Sequence, residues 1–328
     1  MRPVRVTLAA VLLISVVACA TAVSATAREN RARTKGGFVT SSDGAKIHYI
    51  ETGHVQTTGS VRIGGPAPGA MAQGQVSFTN VHQAPTILFI PGWTMPAWIW
   101  QQQIDHLAPK FHVVAIDPRC QGESSQTSEG LYPAQMARDI KAVIDQLHLA
   151  PVVLVGWSMA VEETLSYVDQ FGTRDVAGLV LVDSNAGGLA PGEAEQDLTL
   201  LKGVLEDRHN TGTFFVRKIQ FHKPQPEDYV QRVIRASLSV PTNSAVALLA
   251  GAYTADYRAV LPKIDKPTLV CAAAGPFLDR VVEMQKQIPA SKLEVFEGAG
   301  HALFVDNPDQ FDAALDDFLA HSILAPAH

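Results

Sequence analysis

The sequence predicts an α/β fold, with a mostly parallel sheet of eight strands, helices on both of its faces and a helical lid. Short, continuous apolar runs alternate with segments of helical periodicity, which is typical of a parallel sheet buried on both faces. Of the 328 residues, 47% are hydrophobic and only 18% are charged. This composition is enough for one large core and excludes a disordered chain.

The first two predicted strands form an antiparallel hairpin. They span Gly37–Val39 and Lys46–Tyr49, and Ser42-Asp43-Gly44 supplies a turn signal between them. Further along the chain, short apolar runs indicate six buried strands. These runs are Thr86–Ile90, Val113–Ile116, Val152–Val155, Leu179–Val182, Thr268–Ala272 and Leu293–Phe296.

Two segments interrupt this strand pattern. Residues 55–84 are rich in glycine with Arg62 as their single charge, which indicates a surface insertion of low order within the first part of the core, 28–185. Residues 186–264 are predicted to form a helical lid, with candidate helices at Leu198–Leu205, Tyr229–Leu238 and Ala245–Ala252. Residues 265–328 then complete the core.

The N-terminal 27 residues have the pattern of a signal peptide. A basic start, Met1–Arg5, leads into the apolar run Val6–Ala18, which is too short to cross a bilayer, and Ala25-Thr26-Ala27 offers a cleavage site. The run Val16–Cys19 also resembles the lipobox of bacterial lipoproteins. We therefore expect an exported protein, periplasmic or secreted, with lipid attachment at Cys19 as the alternative processing.

Composition also argues against several functions. With 26 basic and 32 acidic side chains and no basic run, nucleic-acid binding is not expected. Beyond the signal peptide only Cys120 and Cys271 remain; we expect both on strands, as free or buried thiols, without a disulfide framework. Metal and nucleotide motifs are absent from the sequence, and Gly298-Ala299-Gly300 lacks the third glycine of a dinucleotide fingerprint. No cofactor is expected.

Ser158 is the candidate nucleophile. It lies between a buried strand and a segment of helical periodicity, within Gly156-Trp157-Ser158-Met159-Ala160. This matches the G-x-S-x-G elbow except at Ala160, which is small enough to replace glycine. The N–H of Met159, at the start of the helix, is predicted to face an oxyanion.

At this point the sequence resembles the α/β-hydrolase superfamily, from about Gly37 to Leu319. Besides the elbow, Leu88–Trp93 resembles the oxyanion loop, with Pro91 where histidine is common. Ile116–Ser124 resembles the D-x-R-G-x-G-x-S turn, with Cys120 in place of the first glycine. Glu297–His301 follows the last strand, where the family places its catalytic histidine. The resemblance implies that His301 is the base and that the Trp93 N–H is the second oxyanion donor.

The acidic partner of His301 has two candidates. Asp183 ends the strand Leu179–Val182 on the same sheet edge as the elbow. Asp279 follows the strand Thr268–Ala272, where relatives commonly place their acid, but so close to His301 that it is expected in the first turn of a helix. The residues favour Asp183 and leave Asp279 as the alternative. Asp117 is expected to anchor the Arg119 turn.

The predicted function is that of a serine hydrolase. Ser158, His301 and an acid would cleave a small-molecule carboxylic ester or related acyl compound through an acyl-enzyme. The motifs look most like those of cofactor-free esterases and the non-haem haloperoxidase or perhydrolase group. Alternatives are a carbon–carbon bond hydrolase or perhydrolase with the same triad, and an idle hydrolase fold used only for binding. Trp93, Trp98 and Trp100 are expected to line the pocket, with core packing as the alternative for Trp98 and Trp100.

Overall fold

The computed structural model describes residues 34–53, 84–188 and 193–324. The predicted signal peptide, 1–27, lies outside the described residues. So does the predicted insertion at 55–84, apart from Ala84.

Eight strands form one sheet in the order β1-β2-β4-β3-β5-β6-β7-β8. β1 pairs antiparallel with β2, and β2 with β4, whereas the remaining neighbours are parallel. This confirms the predicted fold class, with a strand at each predicted place. The strands are β1 (Lys35–Thr40), β2 (Lys46–Gly53), β3 (Thr86–Ile90), β4 (His112–Ile116), β5 (Val152–Trp157), β6 (Val176–Val182), β7 (Thr268–Ala273) and β8 (Ser291–Phe296).

Helices cover both faces of the sheet and fill the segment between β6 and β7. The α-helices are α1 (Gln101–Leu107), α2 (Pro133–Gln146), α3 (Met159–Phe171), α4 (Glu193–Glu206), α5 (Arg208–Phe214), α6 (Glu227–Ser239), α7 (Thr242–Tyr253), α8 (Leu278–Lys286), α9 (Leu303–Asp306) and α10 (Pro308–Phe318). Short 3-10 segments occur at Ala97–Trp100 and Arg258–Lys263, and π-helical segments at Phe215–Gln220 and Leu319–Ile323.

The core divides between the two faces of the sheet. β3 and β5 are buried along their whole length, and their alternate side chains enter different apolar clusters. Phe89 and Val155 belong to an aromatic cluster that includes Trp100, whereas Leu88 and Leu154 join an aliphatic cluster. Burial on both faces explains why the strands are continuous apolar runs without polar alternation.

The segment between β6 and β7 is more helical than the sequence predicts. The three candidate helices lie within α4, α6 and α7, but α5 and the π-helical segment Phe215–Gln220 were not predicted. The α5 sequence lacks an apolar periodicity. Its start is instead set by Asp207, whose side chain accepts the Asn210 N–H at 3.1 Å.

No single helix in the described part of the chain is long and apolar enough to cross a membrane. Together, α6 and α7 meet the length and composition criterion, but an 88° bend separates them.

The turn after β4 is built on charged groups, as the motif predicts. The Asp117 carboxylate accepts hydrogen bonds from the N–H groups of Ala97 and Glu123 and is hydrogen-bonded to the His48 ring. Arg119 is fully buried. Cys120 lies in this turn at φ +63°, the left-handed region that favours glycine, and not on a strand as expected. Cys271 lies in β7, and both cysteines are free and buried.

Candidate active site

Ser158 occupies a strained turn between β5 and α3, with φ 59° and ψ −127°. Small neighbours permit this geometry. A Cβ added to Gly156 would lie 2.6 Å from the Ala160 oxygen, and one added to Gly92 would lie 2.7 Å from the Ser158 Cβ. The turn therefore requires glycine at both positions, and Ala160 fits although it departs from the motif.

A hydrogen-bonded chain joins three of the predicted residues. Oγ of Ser158 lies 2.7 Å from Nε2 of His301, and Nδ1 of His301 lies 2.7 Å from Oδ2 of Asp183. The His301 and Asp183 side chains are 19% and 13% exposed. A hydroxyl, an imidazole and a carboxylate in this order can move a proton off the hydroxyl and stabilise the imidazolium that results.

The register of the sheet brings these residues together. Asp183 directly follows β6, and its N–H donates to the Cys271 oxygen in β7 at 2.8 Å. The Ser158 N–H donates to the Val182 oxygen at 2.9 Å, so the residues after β5 and β6 are adjacent. Oδ1 of Asp183 accepts the Ala273 N–H at 2.8 Å, which fixes the carboxylate while Oδ2 faces the imidazole.

Asp279, the alternative acid, does not hold this position. It lies in the first turn of α8, where an acid is favoured by the helix dipole, as the sequence predicts. The carboxylate that bonds Nδ1 of His301 comes from Asp183 instead. The reason is local: Asp183 directly follows the last residue of β6, at the sheet edge, whereas Asp279 lies beyond the end of β7, within α8.

The two predicted oxyanion donors adjoin Ser158 in different ways. Met159 is the first residue of α3, where an amide N–H has no acceptor within its own helix. Trp93 follows Gly92, which packs against Ser158, and in the described part of the chain its amide donates to no protein acceptor. The Trp93 indole is held in place because Nε1 donates to the Ala245 oxygen of α7 at 2.8 Å.

The loop that carries His301 is fixed at several points. The Trp157 indole N–H donates to the His301 oxygen at 2.8 Å, and the His301 N–H donates to the Ile219 oxygen at 3.0 Å. Asp306 accepts the N–H groups of Gly300 and His222, both at 2.7 Å. This buried carboxylate ties the His301 loop to the helical insertion. Nothing in the sequence signalled this role for Asp306.

The three tryptophans have different positions. Phe215, in the insertion, lies edge-on to Trp93 at 5.4 Å and to His301 at 6.3 Å between ring centres. Trp93 therefore borders the site. Trp100 is fully buried and stacks on Phe304 at 3.8 Å, which makes it a core residue. Trp98 lies beneath the guanidinium of Arg232 in α6, at 3.7 Å.

One buried acid lies close to the elbow in sequence but outside the hydrogen-bonded chain. Burial, with the nearby charge of Asp139 as a smaller cause, raises the pKa of Glu163 in α3 to about 8. Both of its carboxyl oxygens are without a hydrogen-bond partner among the described residues. Glu163 is therefore protonated over most of the neutral pH range.

Within the described ranges, no group of three or more His, Cys, Asp or Glu side chains could hold a metal ion.

Comparison with known proteins identifies the class. A model of the alpha/beta hydrolase family matches residues 87–314. A pimeloyl-[acyl-carrier protein] methyl ester esterase from Vibrio vulnificus is 27% identical over 249 residues, which cover 70% of this chain and 92% of the relative. A bifunctional esterase/perhydrolase from Acinetobacter calcoaceticus is 28% identical over 191 residues, 58% of each chain.

A solved bromoperoxidase from Bacillus anthracis has the same fold, with a TM-score of 0.74 at 20% identity, covering 87% of this chain and 100% of that one. The sheet, the elbow and these matches define an enzyme of hydrolase fold. The chain belongs to the alpha/beta hydrolase family. Its predicted resemblance to the esterase and haloperoxidase group is confirmed.

Proposed function

We propose that the protein is a serine hydrolase that cleaves a carboxylic ester, or a related acyl compound, through an acyl-enzyme on Ser158. The observation that carries this proposal is the chain of two 2.7 Å hydrogen bonds from Ser158 through His301 to Asp183. The esterase relatives support an ester as the substrate. Such a chain also favours catalysis over a hydrolase fold used only for binding, since an idle site has no need of an oriented imidazole.

The first half of the proposed reaction forms the acyl-enzyme. Oγ of Ser158 attacks the carbonyl carbon of the ester while Nε2 of His301 takes the hydroxyl proton. The carbonyl oxygen becomes an oxyanion, and the N–H groups of Trp93 and Met159 hold it. When the tetrahedral intermediate collapses, the carbon–oxygen bond to the alcohol breaks. The alcohol leaves with the proton from His301.

The second half consumes one water. His301 removes a proton from the water as its oxygen adds to the acyl carbon, and collapse of this intermediate releases the acid and returns the proton to Ser158. Through both halves Asp183 holds the proton of His301 on Nδ1 and stabilises the imidazolium. The net reaction is ester plus water to carboxylic acid plus alcohol.

Perhydrolysis is a second candidate, favoured by the similarity to the esterase/perhydrolase of Acinetobacter calcoaceticus. Hydrogen peroxide would replace water in the second half and give a peroxy acid from the same acyl-enzyme. Measuring peroxy acid in reactions with and without peroxide distinguishes the two outcomes.

The first experiment is labelling with a fluorophosphonate, followed by peptide mass spectrometry. We expect an adduct at Ser158 in the folded protein and none after heat denaturation, together with hydrolysis of 4-nitrophenyl esters. S158A should lose both. S239A is the matched control, because Ser239 is an exposed serine at the end of α6. Ester hydrolysis that persists in S158A would remove the assignment.

We also propose that residues 1–27 direct export. Expression of the full chain in a bacterium, fractionation and mass determination of the N-terminus test this. Cleavage after Ala27 gives a mature chain that begins at Arg28, whereas lipoprotein processing gives a lipid on Cys19 that C19A abolishes. Retention of the uncleaved chain in the cytoplasm contradicts export.

A further inference from the structure

Arg208 places a cation against the loop that carries Trp93. It is the first residue of α5, and its guanidinium carbon lies 5.2 Å from the centre of the Trp93 ring. Its Nη2 donates to the Ser237 main-chain oxygen at 2.7 Å and to the Ser237 hydroxyl at 3.3 Å. That hydroxyl lies 2.8 Å from Oγ1 of Thr94, the residue after Trp93. The guanidinium is therefore fixed to this loop at two points.

Trp93 and then Phe215 lie in space between Arg208 and the catalytic histidine. Phe215 lies edge-on to both the Trp93 ring and the His301 ring. The guanidinium thus adjoins Trp93, one of the aromatic side chains that border the site, on the side of the helical insertion.

The hydrogen-bonding capacity of Arg208 is only partly used. Its Nε and Nη1 atoms are buried and have no partner among the described residues. The room for Nη1 comes from Gly212, where an added Cβ would lie 2.5 Å from that atom. Burial lowers the pKa of the Arg208 guanidinium from its ordinary value. A tryptophan ring offsets part of this cost, but it is a much weaker acceptor than an oxygen.

Several other arginines of the described chain have a carboxylate partner. Arg119, Arg217 and Arg258 each pair with at least one carboxylate. No described carboxylate forms an ion pair with Arg208. Because a buried charge without a counter-charge is costly, its position beside the site indicates that an anion completes the arrangement.

We propose that Arg208 binds a carboxylate carried by the substrate, so that the enzyme prefers esters with a second, free carboxylate over neutral esters of equal length. This inference rests on the proposed function and names its substrate class. Neighbouring groups enclose Nε and Nη1, so binding requires the Arg208 side chain to turn. The charge-assisted hydrogen bonds that it then forms are roughly twice as strong as neutral ones.

Matched pairs of chromogenic esters test the preference. The anionic series comprises mono-4-nitrophenyl esters of dicarboxylic acids from succinate to suberate, and the neutral series has acyl chains of the same length without the carboxylate. We expect the kcat/KM ratio of anionic to neutral ester to exceed one at the preferred length. In R208M this ratio should fall by about tenfold or more, chiefly through KM.

Two further variants separate charge from packing. R208K keeps a positive charge and should retain part of the preference, although lysine lacks the planar fork of arginine. R232M is the matched control, because Arg232 also lies over a tryptophan of the same region, Trp98, but is exposed. It should leave the ratio unchanged. An equal loss of preference in R208M and R232M overturns the proposal.

Binding of the free dicarboxylates to S158A, measured by calorimetry and compared with S158A/R208M, separates this inference from the proposed function. If binding to S158A requires Arg208 but the wild-type protein has no esterase activity, anion recognition is supported and the proposed function is contradicted. Hydrolysis that does not distinguish anionic from neutral esters at any length contradicts the inference and leaves the function intact. If the protein shows neither hydrolysis nor binding, both the inference and the proposed function are contradicted.

Discussion

Replacing Asp183 by Asn tests how the carboxylate acts on His301. The Ala273 N–H donates to one oxygen of Asp183 at 2.8 Å, so in D183N the amide oxygen is expected to keep that bond. The amide NH2 group then faces Nδ1 of His301, where the second carboxylate oxygen lies 2.7 Å away. An NH2 group can only donate, so Nδ1 must accept and the ring proton moves to Nε2. His301 then has no lone pair for the Ser158 proton.

The magnitude follows from this change of tautomer. The corresponding substitution in a serine protease with the same arrangement lowers kcat by about 10⁴, and we expect a loss of about 10³–10⁴ here. At about 1.36 kcal/mol for each tenfold change, this amounts to about 4–5.5 kcal/mol of transition-state stabilisation. KM should change little, because the substitution is nearly isosteric and the substrate does not contact this carboxylate in the proposed mechanism.

The assay is steady-state hydrolysis of the best 4-nitrophenyl ester, with circular dichroism to verify folding. D279N is the matched control, because Asp279 is the alternative acid and lies in the first turn of α8. It should retain kcat within about twofold, as expected for a surface substitution. If D183N kept more than a tenth of the wild-type kcat, or if D279N fell as far, the assigned role of Asp183 would be wrong.

Three other predictions concern the support of the site. G92A should lower kcat by about 100-fold in a folded protein, because the new Cβ would lie 2.7 Å from the Cβ of Ser158 and displace the nucleophile. Unchanged kinetics would contradict the close packing of residue 92 against Ser158. D306N should lower the free energy of unfolding by about 2–3 kcal/mol in urea titrations. One oxygen of Asp306 accepts the Gly300 and His222 N–H groups and the other accepts from Gln225 Nε2 at 3.0 Å, whereas an amide has a single acceptor oxygen; an unaltered midpoint would count against this role. Burial raises the pKa of Glu163 from 4.5 to about 8 in the folded protein. Between these values the carboxyl loses its proton more readily in the unfolded chain, so the free energy of unfolding falls as pH rises. E163Q should therefore become more stable relative to wild type from about pH 5 to pH 8 in thermal unfolding, and parallel pH curves would refute the reasoning.

Local patterns in the sequence were sufficient to predict the sheet. Each parallel strand is a short apolar run, because burial on both faces leaves no place for polar alternation. The elbow at Ser158 could also be predicted from the sequence. A sharp turn directly between a strand and a helix requires small residues at fixed positions. The position of His301 came from family resemblance, through the glycine-rich loop after the last strand.

The helical insertion was less predictable. α5 and the π-helical segment after it have no apolar periodicity of their own, and they are held by contacts with distant parts of the chain. The His301 N–H, for example, donates to the Ile219 oxygen within that π-helical segment. Arg208 and Asp306 acquire their surroundings in the same way, so neither could be singled out from the sequence.

The sequence by itself determined the fold class, the nucleophile candidate and the histidine candidate, because each depends on residues that are neighbours along the chain. Only the tertiary structure places Asp183, and not Asp279, against His301, since Asp183 is 118 residues from His301 and meets it through the pairing of β6 with β5 and β7. It also decided which side chains surround Trp93. The physical reason is that hydrogen bonds act over about 3 Å in space, and strand order sets those distances without leaving a periodic signal in the sequence.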